Sequence, residues 1–195
     1  ALVFALCLGL LAVALVLTLN RLAQWLAVAG ALIAVTYPLF KRFTHFPQFY
    51  LGLAFSWGIP MAFAAQQDTV PSLAWILVLA NLLWTVAYDT MYAMADRPDD
   101  IKIGVKSTAI WFGQYDRIAN LLCQALSLMV LYLLGRHLGF NGIFYLGLSV
   151  AAGTAMYQYW LCRQRDRVKC FRAFCNNNWF GGSIFAGIVL SYAMA

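Results

Sequence analysis

Charge is scarce in this chain. Of its 195 residues 10% are charged, with 13 Lys and Arg against 7 acids, and all the acids are Asp; glutamate is absent. A water-soluble domain carries about 25% charged residues. So little charge cannot cover the surface of a soluble protein of this length, which excludes an ordinary cytosolic domain, a disordered chain and a DNA-binding domain. Other things are missing as well. The first charge is Arg21, so the opening apolar run has no basic start and does not fit a signal peptide. The five cysteines, Cys7, Cys123, Cys162, Cys170 and Cys175, contain no Cys-x-x-Cys pair, which argues for free thiols over zinc ligands or disulfides. There is no glycine-rich phosphate loop, and Gly104 alone does not make one.

What the sequence does hold is apolar length. Hydrophobic residues make up 64% of it. Seven apolar segments stand out: Ala1–Leu19, Leu22–Phe40, Phe49–Ala65, Leu73–Ala95, Ile118–Gly135, Ile143–Leu161 and Trp179–Ala195. Most approach the roughly 20 residues that cross a hydrocarbon core. Helices are expected, because a helix satisfies its own backbone in lipid, and the ten-residue alternating pattern of an outer-membrane barrel is not present. The fold class expected is all-α, a polytopic helical bundle in a lipid bilayer, forming a single domain over 1–195. The run from Ala1 lacks any polar lead-in, and further helices are expected upstream of it.

Alternating spans sort the basic residues. Loops 41–48, 96–117 and 162–178 fall on one face and carry 11 of the 13 Lys and Arg, leaving only Arg21 and Arg136 opposite. By the positive-inside rule the rich face is cytoplasmic. His45 and His137 then lie on opposite faces and cannot share a metal. The run from Arg163 to Arg172 reads most simply as a cytoplasmic loop meeting anionic lipid.

All the acids except Asp68 gather at the same face. The densest stretch runs from Tyr88 to Ser107. On a helix Asp89 and Asp96 share one face two turns apart with Tyr92 between them, and Asp96 and Asp100 form Asp-x-x-x-Asp. Pro98 is expected to end the helix near Arg97, so that Asp100 returns from a loop or a new helical start. Asp89 lies about a turn inside the apolar run, where an ionised carboxylate needs a partner or a metal. Carboxylates followed by Lys102 and Lys106 suit a polyanion bound through Mg²⁺, with the lysines meeting the remaining phosphate charge. A solvated loop of mixed charge would not extend a carboxylate into a span. Asn81, two turns before Asp89, either faces the same cavity or bonds a neighbouring helix. Asn176, Asn177 and Asn178 precede the last span and either cap it, which is the first expectation, or line the cleft.

Tyr88-Asp89-Thr90-x-Tyr92-Ala93-Met94-x-Asp96-Arg97-x-Asp99-Asp100-x-Lys102-Ile103-Gly104-x-Lys106-Ser107 resembles the second aspartate-rich motif of the UbiA-type intramembrane prenyltransferases. Three further stretches agree: Tyr37-Pro38-x-x-Lys41-Arg42-x-Thr44-His45-x-Pro47-Gln48, Gly58 to Ala65, and Cys170-Phe171-x-Ala173-Phe174-x-Asn176-Asn177-Asn178. Within that family the likeness is to the branch acting on 4-hydroxybenzoate in ubiquinone biosynthesis. It implies nine helices, of which seven are here, and a first motif, Asn-Asp-x-x-Asp-x-x-x-Asp, that this sequence does not contain. Pro98 stands where close relatives usually carry an acid. The resemblance implies Asp89, Asp96 and Asp100 as catalytic and Mg²⁺-binding residues. It also raises Lys41, Arg42, Lys102, Lys106 and Tyr92 as substrate contacts, although Lys41 and Arg42 would otherwise read as positive-inside anchors. It implies polyprenyl diphosphate and 4-hydroxybenzoate as substrates, and a multi-pass place in the bacterial inner membrane with the active site facing the cytoplasm.

A transporter or scaffold binding an anion is the competing class, and a fragment inactive by itself is a third. A proton relay would set its charges at mid-membrane in several spans; here they collect at one face.

Overall fold

A computed structural model describes residues 2–194, and among these all regular structure is helical. The elements are α1 (Leu2–Leu17), α2 (Arg21–Phe43), α3 (Pro47–Ser56), α4 (Gly58–Gln67), α5 (Ser72–Ile103), α6 (Thr108–Phe112), α7 (Asp116–Leu138), α8 (Gly142–Leu161) and α9 (Arg167–Ala193), with short 3₁₀ turns before α7 and before α9. Among the described residues each expected apolar segment is mainly helical. Three stretches, Arg21–Phe40, Ser72–Ile103 and Thr108–Leu138, are by length and composition able to cross a membrane.

The third segment is divided. Pro60 has no N–H for the carbonyl of Ser56 and its ring crowds that carbonyl, which is where α3 ends before α4 begins at Gly58. Trp57 fills the break and donates Nε1–H to the Leu26 carbonyl at 2.8 Å. Its ring lies so close to Gly30 that a Cβ there would sit 2.7 Å from it. Asn20 fastens the same corner: it caps α2 by accepting from the Ala23 amide, and it donates to the Ala64 carbonyl at 2.6 Å.

α5 is the axis of the bundle and packs against α3, α7 and α9. Its 32 residues run about 48 Å at 1.5 Å per residue, well beyond a hydrocarbon core of about 30 Å. Contrary to expectation, the helix does not stop near Arg97. Pro98 sits inside it, and it ends at Gly104, which adopts a left-handed φ of 71°. A proline's fixed φ is helical, so the loss is one bond to the Met94 carbonyl and some crowding. The Val105 amide then closes the end on the Asp100 carbonyl at 3.0 Å.

α8 and α9 make the closest helix pair. Gly147 permits it, because a Cβ there would meet the Ser183 carbonyl at 2.6 Å and Gly187 at 3.1 Å; small residues let membrane helices approach in this way. The expectation that Asn176 to Asn178 cap the last span is overturned. α9 starts at Arg167, capped by Asp166, whose Oδ1 accepts from the Lys169 amide at 2.9 Å. The asparagines lie within the helix, and two of them bond across the bundle. Trp84 Nε1 donates to Asn177 at 2.9 Å, and Gln158 donates to Asn176 at 3.2 Å. α1 buries no side chain.

Candidate functional site

The segments 41–48, 96–117 and 162–178 meet at one end of the bundle, as the charge pattern requires. Lys106 Nζ donates to the Phe43 carbonyl at 3.3 Å. The Thr108 amide donates to Gln48 Oε1 at 3.1 Å. Arg117 donates to the Arg163 carbonyl, also at 3.3 Å.

A buried carboxylate holds this end together. Asp116 is fully buried at the start of α7 and is paired with two arginines. Arg165 reaches it at 2.8 Å and Arg97 at 3.3 Å. Arg165, in the turn between α8 and α9, takes a left-handed φ of 52° to do so and also donates to the Gln114 carbonyl at 2.6 Å. Its bond to Asp116 pushes the guanidinium pKa further up, against the effect of burial. A fully buried Asp flanked by arginines, one supplied by the aspartate-rich stretch itself, carries no signal in the sequence beyond its presence on the basic face.

Beside this clamp, Asp89, Asp96 and Asp100 line one cleft, together with Gln48, Tyr92, Ala93, Val105, Lys106 and Ser107. The unbroken helix makes this possible. Asp89, Asp96 and Asp100 lie seven and then four residues apart along α5, spacings that keep them on one side. Tyr92 stands between the carboxylates with its ring edge-on to Phe174 and Phe171 of α9. All five cysteines are free.

The other nominated residues are placed elsewhere. Lys102 is 74% exposed at its side chain and pairs with Asp99 at 3.4 Å, away from the cleft lining. Asn81 donates to Ser56 Oγ at 2.9 Å, so of its two readings the helix–helix bond is the one seen. It borders a different, apolar cavity with Trp84 and Ser127. Arg42 is exposed at the end of α2 and is not among the lining residues. The side chain of Lys41 lies outside the described residues. Two residues given no individual role by sequence reasoning belong to the site or its rim. Gln48 lines the cleft. Arg167 pairs with Asp99 at 2.8 Å and approaches Asp96 at 3.8 Å. Arg167 therefore does more than face lipid.

The cleft is lined by hard carboxylate oxygens and by an ammonium group. Among the described residues no three His, Cys, Asp or Glu side chains are drawn into one tight ligand cluster. A cation here would take few oxygens from the residues described and leave positions for other ligands, a habit of Mg²⁺.

Comparison with known proteins bears on the family and the fold. The model of the UbiA prenyltransferase family matches residues 1–185. Among curated relatives, the 4-hydroxybenzoate octaprenyltransferase of Cupriavidus necator is 54% identical over 194 residues, covering 100% of this chain and 68% of the relative. Its namesake in Coxiella burnetii is 57% identical over 185 residues, covering 95% of this chain and 64% of the relative. The chain thus spans about two thirds of the length of the curated relatives it matches. In fold it is similar to the apo structure of a UbiA homolog from Aeropyrum pernix K1, with a TM-score of 0.76, 22% identity, and coverage of 92% of this chain and 67% of that one. A digeranylgeranylglyceryl phosphate synthase structure gives a TM-score of 0.72 at 20% identity, with 96% and 68% covered. A family model matched over nearly the whole chain, and relatives more than half identical to it, bring sequence and fold to one conclusion: this chain belongs to the UbiA prenyltransferase family.

Proposed function

We propose that the protein transfers a polyprenyl group from polyprenyl diphosphate to the ring carbon ortho to the hydroxyl of 4-hydroxybenzoate, in ubiquinone biosynthesis. The observation that carries this reading is the convergence of Asp89, Asp96 and Asp100 with Lys106 on one cleft. The names of its relatives supply 4-hydroxybenzoate and a prenyl group, and the family resemblance implies the diphosphate that carries it.

The three carboxylates are the residues that would hold Mg²⁺, and their hard oxygens fit that ion. When bound, Mg²⁺ supplies positive charge to the diphosphate oxygens. Lys106, fixed by the Phe43 carbonyl, adds charge of the same sign to the leaving group. Stabilising charge as it develops is the main electrostatic contribution open to the protein. The allylic C–O bond breaks, its electron pair leaves with diphosphate, and the ring carbon attacks the allylic cation and then loses its proton. Tyr92, backed by Phe171 and Phe174, walls the cleft and aligns the reactants. Lys41 and Arg42 are nominated by the family resemblance alone as contacts of the diphosphate or the aromatic carboxylate. The basic residues around the cleft support a cytoplasmic orientation in the bacterial inner membrane.

The test is direct. The full-length protein in membranes, given polyprenyl diphosphate, 4-hydroxybenzoate and Mg²⁺, should form 3-polyprenyl-4-hydroxybenzoate and release diphosphate, and chelation should abolish this. Absence of product from folded protein would refute the reading.

A further inference from the structure

Gln48 is the second residue of α3 and is 2% exposed, yet it lines the same cleft as the three aspartates and Lys106. Its two polar atoms are not equivalent. The oxygen accepts from the Thr108 amide at 3.1 Å, one of the N–H groups at the start of α6 that has no partner within its own helix. Thr108 is itself fixed, because its hydroxyl lies 2.6 Å from that of Thr90, which bonds the Val86 carbonyl. A carboxamide whose oxygen is turned to a backbone amide directs its NH₂, which can only donate, to the other side. Such a group is repelled by a cation and matched to an anionic oxygen.

We propose that Gln48 is a specificity-determining donor to an oxygen of the substrate diphosphate, in the cleft that the aspartates and Lys106 also line. This rests on reading the cleft as a diphosphate site. Thr90, Thr108 and Gln48 then form a relay from α5 through α6 to α3 that sets the direction of the donor. The aromatic acid also carries an oxyanion, its carboxylate, and the experiment separates the two sources.

Gln48→Glu keeps an oxygen for the Thr108 amide and replaces the donor by an acceptor. Gln48→Met removes the donor, together with the oxygen that holds the Thr108 amide, at similar size without adding charge. In the full-length protein both should raise the KM for polyprenyl diphosphate by about ten-fold or more, the scale of a hydrogen bond to a charged group, with the KM for the aromatic acid unchanged. Inorganic pyrophosphate with Mg²⁺ should raise the melting temperature of the unaltered protein and protect both variants much less. That arm needs no turnover, so it reads the donor even if the proposed reaction is wrong. A rise confined to the aromatic acid would assign the donor to a carboxylate and overturn the proposal. So would wild-type diphosphate affinity in folded Gln48→Met, since a defect seen only in Gln48→Glu reports added charge.

Discussion

Asp89 and Asp96 differ from Asp166 in what surrounds them, although all three carry the same charge near one end of the bundle. The first two line the cleft, and Asp166 caps α9. Asp89→Asn or Asp96→Asn should lower prenyl transfer by the full-length protein at least about 10²-fold, as when a preorganised electrostatic contact is removed. Asp166→Asn should leave it near wild type, because Asn caps a helix as well as Asp does. Equal activity of the Asp89 and Asp166 variants at limiting Mg²⁺ would make Asp89 structural. Asp116 makes a different prediction. Replacing it by Ala leaves Arg97 and Arg165 without their shared partner in a partly buried place. Breaking a buried pair costs about 3–5 kcal/mol, and since these guanidinium groups are 27% and 34% exposed, the lower end of that range applies. Denaturation in detergent would measure it.

Among the elements, the α8–α9 contact depends on what Gly147 lacks. Gly147→Ala drives a methyl against the Ser183 carbonyl, with no flexible side chain to yield, and should destabilise by roughly 1–3 kcal/mol. Gly153, in the same helix, has nothing within 4 Å of its Cβ direction, so Gly153→Ala should be neutral or stabilising by up to about 1 kcal/mol. Thermal unfolding of the two variants in one detergent makes the comparison. The elements also show where sequence reading reaches its limit. Hydropathy located the helices because lipid forces apolar runs and internal hydrogen bonding to coincide. It misplaced the end of α5, because Pro98 weakens a helix without forbidding it when Gly104 supplies the real stop. It misplaced the start of α9 for the opposite reason. Three polar asparagines look like an end, yet here two of them, Asn177 and Asn176, bond Trp84 and Gln158 across the bundle. The aspartate spacing survived, since it depended only on helical periodicity. The outward turn of Lys102, the donor state of Gln48 and the burial of Asp116 are set by neighbours more than 15 residues away, or by choices of rotamer, that no local pattern encodes.

For the whole molecule, the meeting of segments 41–48, 96–117 and 162–178 at one end predicts how the chain sits across its membrane. Cys162 and Cys170 are buried, so their silence toward a reagent would say nothing about sidedness. Lys102 and Arg136 are exposed and lie on opposite sides by the charge pattern. In a background without exposed cysteines, Lys102→Cys should react with an impermeant maleimide only after the cytoplasmic side is opened, and Arg136→Cys should react from outside intact cells. The reverse result would invert the orientation.

Ionic strength should divide this end of the protein into two mechanical parts. At about 0.15 M salt the screening length is near 8 Å, but counterions act only where water reaches. The Arg167–Asp99 pair is open, with side chains 59% and 48% exposed, whereas the Asp116 carboxylate is wholly enclosed. Raising the salt therefore frees the first turn of α9 from the end of α5 while the corner between α7 and the α8–α9 turn stays locked. The carboxylate wall of the cleft would then gain freedom on one flank alone.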